Sequence, residues 1–171
     1  MPTPEPIHSD ANKAFAEPIG TFVFAFGYLE HQLDAAIGAL LRIESSRESD
    51  AITAQIQSVA AKARLVQQLV KIQTENCQLR EEAERVAKEI ARINTYRNRL
   101  IHGPWNAFFH GNSEEPSWQK LSTDPQNFKT KAFGVKISDI KNNTSAAYKA
   151  MTDVGNLAYG LTKVPIGGRT P

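Results

Sequence analysis

Residues 79–104 read LREEAERVAKEIARINTYRNRLIHGP, and this run decides the fold. Its apolar positions Leu79, Ala83, Val86, Ile90 and Ile93 recur in steps of three and four. That spacing draws one stripe along an α-helix. Glu81, Glu82, Glu84, Arg85, Lys88 and Glu89 fall mostly on the other side, as a solvated face. Gly103 suits the position just past a helix and Pro104 prevents its resumption, so the helix is expected over about 77–102.

Working outward, a first helix is expected over about 15–43, with the stripe Phe15, Ile19, Phe22, Phe26, Leu29, Leu33, Ile37 and Leu40. Pro18 falls in its first turn, where a missing N–H costs nothing. Residues 44–50 are a polar connector. A second helical region over about 50–75 carries Ile52, Ile56, Val59, Ala63, Val66, Leu69, Val70 and Ile72, with a break near Ser58. Past Pro104 come the aromatic runs Trp105–Phe109 and Ser117–Ser122, separated by a hairpin-like loop at His110–Pro116, and a third short run over Lys131–Ile137. A last helix, N-capped by Ser138 and running to about Lys163, carries Ile140, Thr144, Ala147, Met151, Val154, Ala158 and Leu161. The fold class is mainly α: a four-helix up-down bundle with a small β-hairpin or sheet inserted between the third and fourth long helices. The expected organisation is a disordered leader at 1–13, one helical domain at 14–164 with the insertion at 104–137, and a flexible tail at 165–171.

A chain of 171 residues, 41% hydrophobic and 22% charged, is long enough for one domain with a real core. A net charge of +2 and a pI near 8.7 predict no strong pull on nucleic acid, but leave room for a local basic site. The lone Cys77 forms no internal disulfide and fits a reducing compartment. The N-terminus has no basic region followed by an apolar run, and Phe22–Leu41 is interrupted by Glu30, His31, Gln32 and Asp34. These features argue against a signal peptide and a membrane span, and the expected location is the cytoplasm. His8, His31 and His110 lack metal-ligand spacing with acidic residues or Cys77, and Gly167-Gly168 has no helix after it. No metal and no cofactor are expected.

The stripe of the third helix steps through 79, 83, 86, 90 and 93, and its next member is Arg97. A permanently charged guanidinium is thus placed on the face that should pack. Buried without a partner, it costs several kcal/mol. Arg97 therefore either meets a carboxylate, with Glu30 on the first helix as the candidate, or lines a cavity or interface. Asn98 and His102, four apart, share one side of the helix, whereas a regular helix holds Arg97 and His102 well apart. They meet if the helix loosens before Gly103 or if a second copy of the chain supplies the facing half. Arg and His together, without acidic metal ligands, suit attack by a ribose 2′-hydroxyl on the adjacent phosphorus. His102 moves the proton, Arg97 grips the phosphoryl oxygens and Asn98 orients one or the other. Lys62 and Arg64 are weaker candidates for phosphate contact, as is Arg99; Tyr96 is one for stacking on a base.

The run Arg97-Asn98-Arg99-Leu100-Ile101-His102-Gly103, closing a helix in a four-helical chain, resembles the motif of the HEPN superfamily. In that signature Arg is followed four to six residues later by His, often with a polar residue directly after the Arg. Phe26-Gly27-Tyr28-Leu29-Glu30 on the first helix is also similar to that group. The resemblance covers about 15–163, and the aromatic insertion departs from the minimal bundle. It implies a metal-independent endoribonuclease acting as a toxin, a phage-defence effector or an RNA-processing enzyme. It further implies RNA as substrate, a homodimer with the motifs at the interface, and in the toxin case an antitoxin protein. The alternative is a non-catalytic dimeric module that binds a protein or nucleic acid.

Overall fold

Five helices carry the described chain: α1 (Asp10–Leu40), α2 (Ser46–Thr53), α3 (Val59–Gln73), α4 (Cys77–Ile101) and α5 (Ile137–Thr162). The computed structural model describes residues 10–102, 105–106, 117–123 and 130–162, with side chains over 14–102 and 134–162. The expected leader up to residue 9, Gly103-Pro104, the loop at His110–Pro116 and the tail at 165–171 lie outside the described residues.

Each boundary has a local cause. α1 takes in residues 10–13, which the sequence reading assigned to the leader. It stops before Ile43 because Arg42 adopts the left-handed conformation (φ 58°). Arg42 N–H then donates to Ala39 O at 3.1 Å and Ile43 N–H to Gly38 O at 3.0 Å, the double bond of a Schellman ending. No glycine marks that stop, so composition did not reveal it. Ser45, Ser58 and Asn76 cap α2, α3 and α4, each side chain accepting a backbone N–H of the first turn. Ser138, expected as a cap, lies one residue inside α5.

The second helical region is two helices, and the break changes the chain's direction. Lys62 of α3 reaches Glu30 and Asp34 of α1, and farther along, Gln73 Nε2 donates to Leu40 O. α3 therefore runs parallel to α1, with the short α2 descending between them. α2 is seated where Gly38 lets it approach: a methyl group there would collide with Ser49 Oγ. α4 runs against α3, since Arg80 donates to Lys71 O at 2.8 Å while Val59, at the other end of α3, lines one cleft with Asn94 and Arg97. α5 runs against α4, through Arg92 to Asn143 at 3.0 Å and Arg85 to Asp153 at 2.6 Å. The result is a helical bundle in which α1, α3 and α5 share one direction. Alternation is met only by counting α2, in place of the expected strict up-down order of four helices.

The core is where the stripes meet. Phe22, Leu29, Leu33, Ile37, Leu40, Val70, Ile90, Ile93, Leu100 and Ile140 are fully buried. Ile52 and Ile72, expected in the second stripe, are exposed instead. Thr53 beside Ile52 is buried and Gln73 beside Ile72 reaches Leu40 of α1, so both isoleucines lie on outward faces of their helices. β1 (Trp105–Asn106), β2 (Ser117–Thr123) and β3 (Thr130–Lys136) pair antiparallel in the order β1-β2-β3, with Trp105 opposite Lys120 and Lys120 opposite Phe133. Among the described residues, no helix is long and apolar enough to cross a membrane.

α4 and α5 are also clamped by charge. Arg85 donates to both Glu82 and Asp153, and Lys149 donates to Asp153. Burial pushes the Asp153 carboxyl up, but the hydrogen bonds from Lys149 and Arg85 outweigh it and hold the group below the usual range. A carboxyl depressed in the folded state adds stability above its unfolded pKa and loses it as pH falls through the folded value. Asp153→Asn is expected to lower stability by about 1 kcal/mol at neutral pH, with the deficit against wild type closing below about pH 4. Urea titrations across pH read this; a deficit that persists at pH 2 would contradict it.

Candidate active site

α4 ends so as to bring its last side chains together. His102 accepts no helical geometry: its backbone is extended (φ −93°, ψ 132°), although its N–H still donates to Asn98 O at 3.0 Å. On a continuing helix, residues five apart lie roughly 140° apart around the axis. The length of the Arg97 side chain spans that offset. Arg97 Nη1 lies 3.1 Å from His102 Nε2 and 3.2 Å from Asn98 Oδ1. Arginine has only donors, so Nε2 serves as the acceptor and the neutral imidazole carries its proton on Nδ1. Arg97, Asn98 and His102 are thus gathered within one chain.

The guanidinium is held from beneath. Arg97 Cζ sits over the Phe26 ring, 5.6 Å from its centre. Burial of an unpaired charge is avoided because Arg97 is only half-buried and opens on a cleft.

Glu30 is not the partner of Arg97. Its carboxylate goes to Lys62, whose Nζ lies 3.3 Å from Glu30 Oε1 and 2.8 Å from Asp34 Oδ1. Lys62 is 5% exposed, so it is a buried structural cation and not the phosphate contact that the sequence reading allowed. Its position shows this in retrospect: three after Val59 and four before Val66, it lies on the apolar stripe of α3. Glu30 and Asp34, one turn apart on α1, supply the two carboxylates that its burial requires.

The cleft beside Arg97 has a volume of about 270 Å³. α1 contributes Phe26 and Glu30, α4 contributes Asn94, Arg97 and Asn98, and the start of α3 closes the third side. That third wall is a helix N-terminus, whose partial positive charge favours an anion. Asn94 was missed in the sequence, although it stands one turn before Asn98 on the same face. Arg99 and Arg64 are exposed and do not line the cleft. Among the described residues, no group of His, Cys, Asp or Glu is placed to hold a metal ion.

Tyr96 turns away from this site. Its ring meets Phe22 edge-on, with centroids 5.6 Å apart, so it is spent on the core and not offered to a base. Its buried hydroxyl has no hydrogen-bond partner among the described residues. Burial, with the charge of Asp139 adding, pushes its pKa up to about 12. Tyr96→Phe removes a polar group that packing leaves unsatisfied. It is expected to be neutral or stabilising by up to about 1 kcal/mol in a thermal melt; a loss of more than that would mean the hydroxyl has a partner.

Comparison with protein-family models, with curated proteins and with solved structures returns no match to this chain.

Proposed function

We propose that this chain is a metal-independent endoribonuclease of HEPN type, its helices forming a HEPN-like bundle with a β-hairpin insertion after α4. The observation that carries the reading is the 3.1 Å approach of Arg97 Nη1 to His102 Nε2, beside a cleft with a helix N-terminus in its wall.

The chemistry follows from those groups. An RNA phosphate drawn to the cleft competes with His102 for the Arg97 guanidinium, because an anion is the better acceptor. His102 Nε2 is then released as a base and takes the proton of the 2′-hydroxyl. The 2′-oxygen bonds to phosphorus, the bond from phosphorus to the 5′-oxygen breaks, and a 2′,3′-cyclic phosphate remains. The leaving oxygen takes a proton from solvent or from the His102 of a second copy, which the exposure of this residue permits. Arg97 and Asn98 neutralise the charge gathering on the phosphoryl oxygens. DNA lacks the attacking group and is spared.

Purified protein is expected to cut RNA in EDTA and leave cyclic phosphate ends, with His102→Ala and Arg97→Ala each slowing the reaction roughly 10²–10⁴-fold. A requirement for magnesium, or cleavage that survives both substitutions, would falsify this reading. Growth arrest on expression, relieved by His102→Ala, would favour a toxin or phage-defence role with an antitoxin as partner.

The reading as a homodimeric interaction module draws on a different observation. Phe24 and Tyr28 on α1 are 71% and 57% exposed, and residues 18–29 carry no charge. Gly20 and Gly27 on the same outward side have no neighbour within 4 Å among the described residues, and no packing there accounts for two glycines inside a helix. A second copy closing on this face serves either reading. Light scattering is expected to give twice the chain mass for wild type and the monomer mass for Phe24→Glu. If His102→Ala leaves every cellular effect intact while Phe24→Glu abolishes it, the module is the better account.

A further inference from the structure

The cleft has two tiers of opposite character. α1 and α4 run in opposite directions, so one turn along each leads to the same level. Phe26 and Arg97 with Asn98 form the lower tier; Glu30 and Asn94, each one turn further on, form the upper. The lower tier draws an anion. The upper tier repels one. Lys62 carries one positive charge against the two carboxylates of Glu30 and Asp34, which leaves one negative charge in excess. That excess faces the cleft, since the Glu30 side chain is 41% exposed and that of Asp34 only 22%. Glu30 Oε2 has no partner among the described residues, and the half-buried amide of Asn94 makes no hydrogen bond there either. A ligand whose phosphate lies on Arg97 must therefore offer hydrogen-bond donors about one helical turn, or ~6 Å, away.

We infer that the upper tier is a nucleobase subsite that selects guanine, at the nucleotide whose phosphate Arg97 holds. This rests on the ribonuclease reading of the site. Guanine presents two parallel donors, N1–H and N2–H, which one carboxylate accepts together, and an O6 acceptor for the Asn94 amide. Adenine and cytosine present an amino group beside an acceptor that Glu30 repels, and uracil presents a single N–H between two carbonyl oxygens. A second phosphate is excluded by the Glu30 charge. Lys62 acts as a positioning residue: it fixes Glu30 Oε1 and so sets the direction of the remaining lone pairs. The volume of about 270 Å³ admits one base with part of its ribose, and not a stacked pair.

The test uses four DNA strands, each with a single ribonucleotide, rG, rA, rC or rU, so that each has one cleavable linkage. Wild type is expected to cut at rG roughly tenfold or more faster than at the others. Glu30→Gln is expected to bring the four rates together while still cutting, and Asn94→Ala to reduce the preference. Equal rates in wild type, or a preference that survives Glu30→Gln, would overturn the subsite and leave the nuclease standing. If no strand is cut, the nuclease reading falls, and guanosine 3′-monophosphate is titrated against the folded wild type beside the adenosine, cytidine and uridine analogues. Selective shifts of the Asn94 side-chain amide by the guanosine nucleotide, lost in Glu30→Gln, then uphold the subsite; equal or absent binding overturns it. Should Glu30→Gln fail to fold by circular dichroism, Asn94→Ala decides, by its rG preference where cleavage is seen and by its affinity for guanosine 3′-monophosphate where it is not.

Discussion

The site is organised by a permanent charge placed where α4 calls for an apolar residue. Arg97 continues the stripe that packs Ile90 and Ile93, and its guanidinium has to be satisfied without leaving that face. The solution is an aromatic ring below, two neutral acceptors beside it and a polar cleft in front. Neither acceptor is a carboxylate. A carboxylate in hydrogen-bond contact would have neutralised Arg97 and made it a structural ion pair. Paired among the described residues only with an amide and an imidazole, it keeps its charge open to the cleft.

That freedom depends on a second charge nearby. Lys62 takes both carboxylates that α1 directs at the region, and it is buried deeply enough for the pairing to be strong. The two cations are not interchangeable. Lysine, with a compact ammonium that accepts contacts from several directions, sits in the closed position between Glu30 and Asp34. Arginine, with a flat fork suited to phosphate, sits in the open one. Glu30 is shared by both arrangements: it is tied to Lys62 by one oxygen and lines the same cleft as Arg97.

The helices and most of the core were legible in the sequence because steps of three and four leave few alternatives. Stripe residues such as Phe22, Leu33, Ile90 and Val154 are buried where their spacing puts them. The direction of the elements was not legible. Periodicity states which face of 59–73 is apolar, but it is silent on whether that helix rises or descends beside α1. The end of α1 was obscured because Arg42 fills a left-handed position usually marked by glycine. In the site, the choice of Arg97, Asn98 and His102 came from residue type and position. Their meeting inside one chain depends on how the long Arg97 side chain is turned along the helix end, which no spacing rule encodes. Lys62 was misassigned by residue type alone, when its place between Val59 and Val66 already argued for burial.

The reversal at residues 54–58 links fold and site. Were 46–73 one continuous helix, its middle would pass the cleft as a closed cylinder, with every backbone N–H already used by a carbonyl four residues back. Because the chain instead breaks and Ser58 caps a new start, α3 opens at the level of Phe26 and Arg97, and its N-terminal end forms the third wall. The same restart sets the register that carries Lys62 to Glu30 and Asp34 one turn later. One change of direction thus provides both the helix N-terminus in the cleft wall and the buried cation that takes up the Glu30 carboxylate.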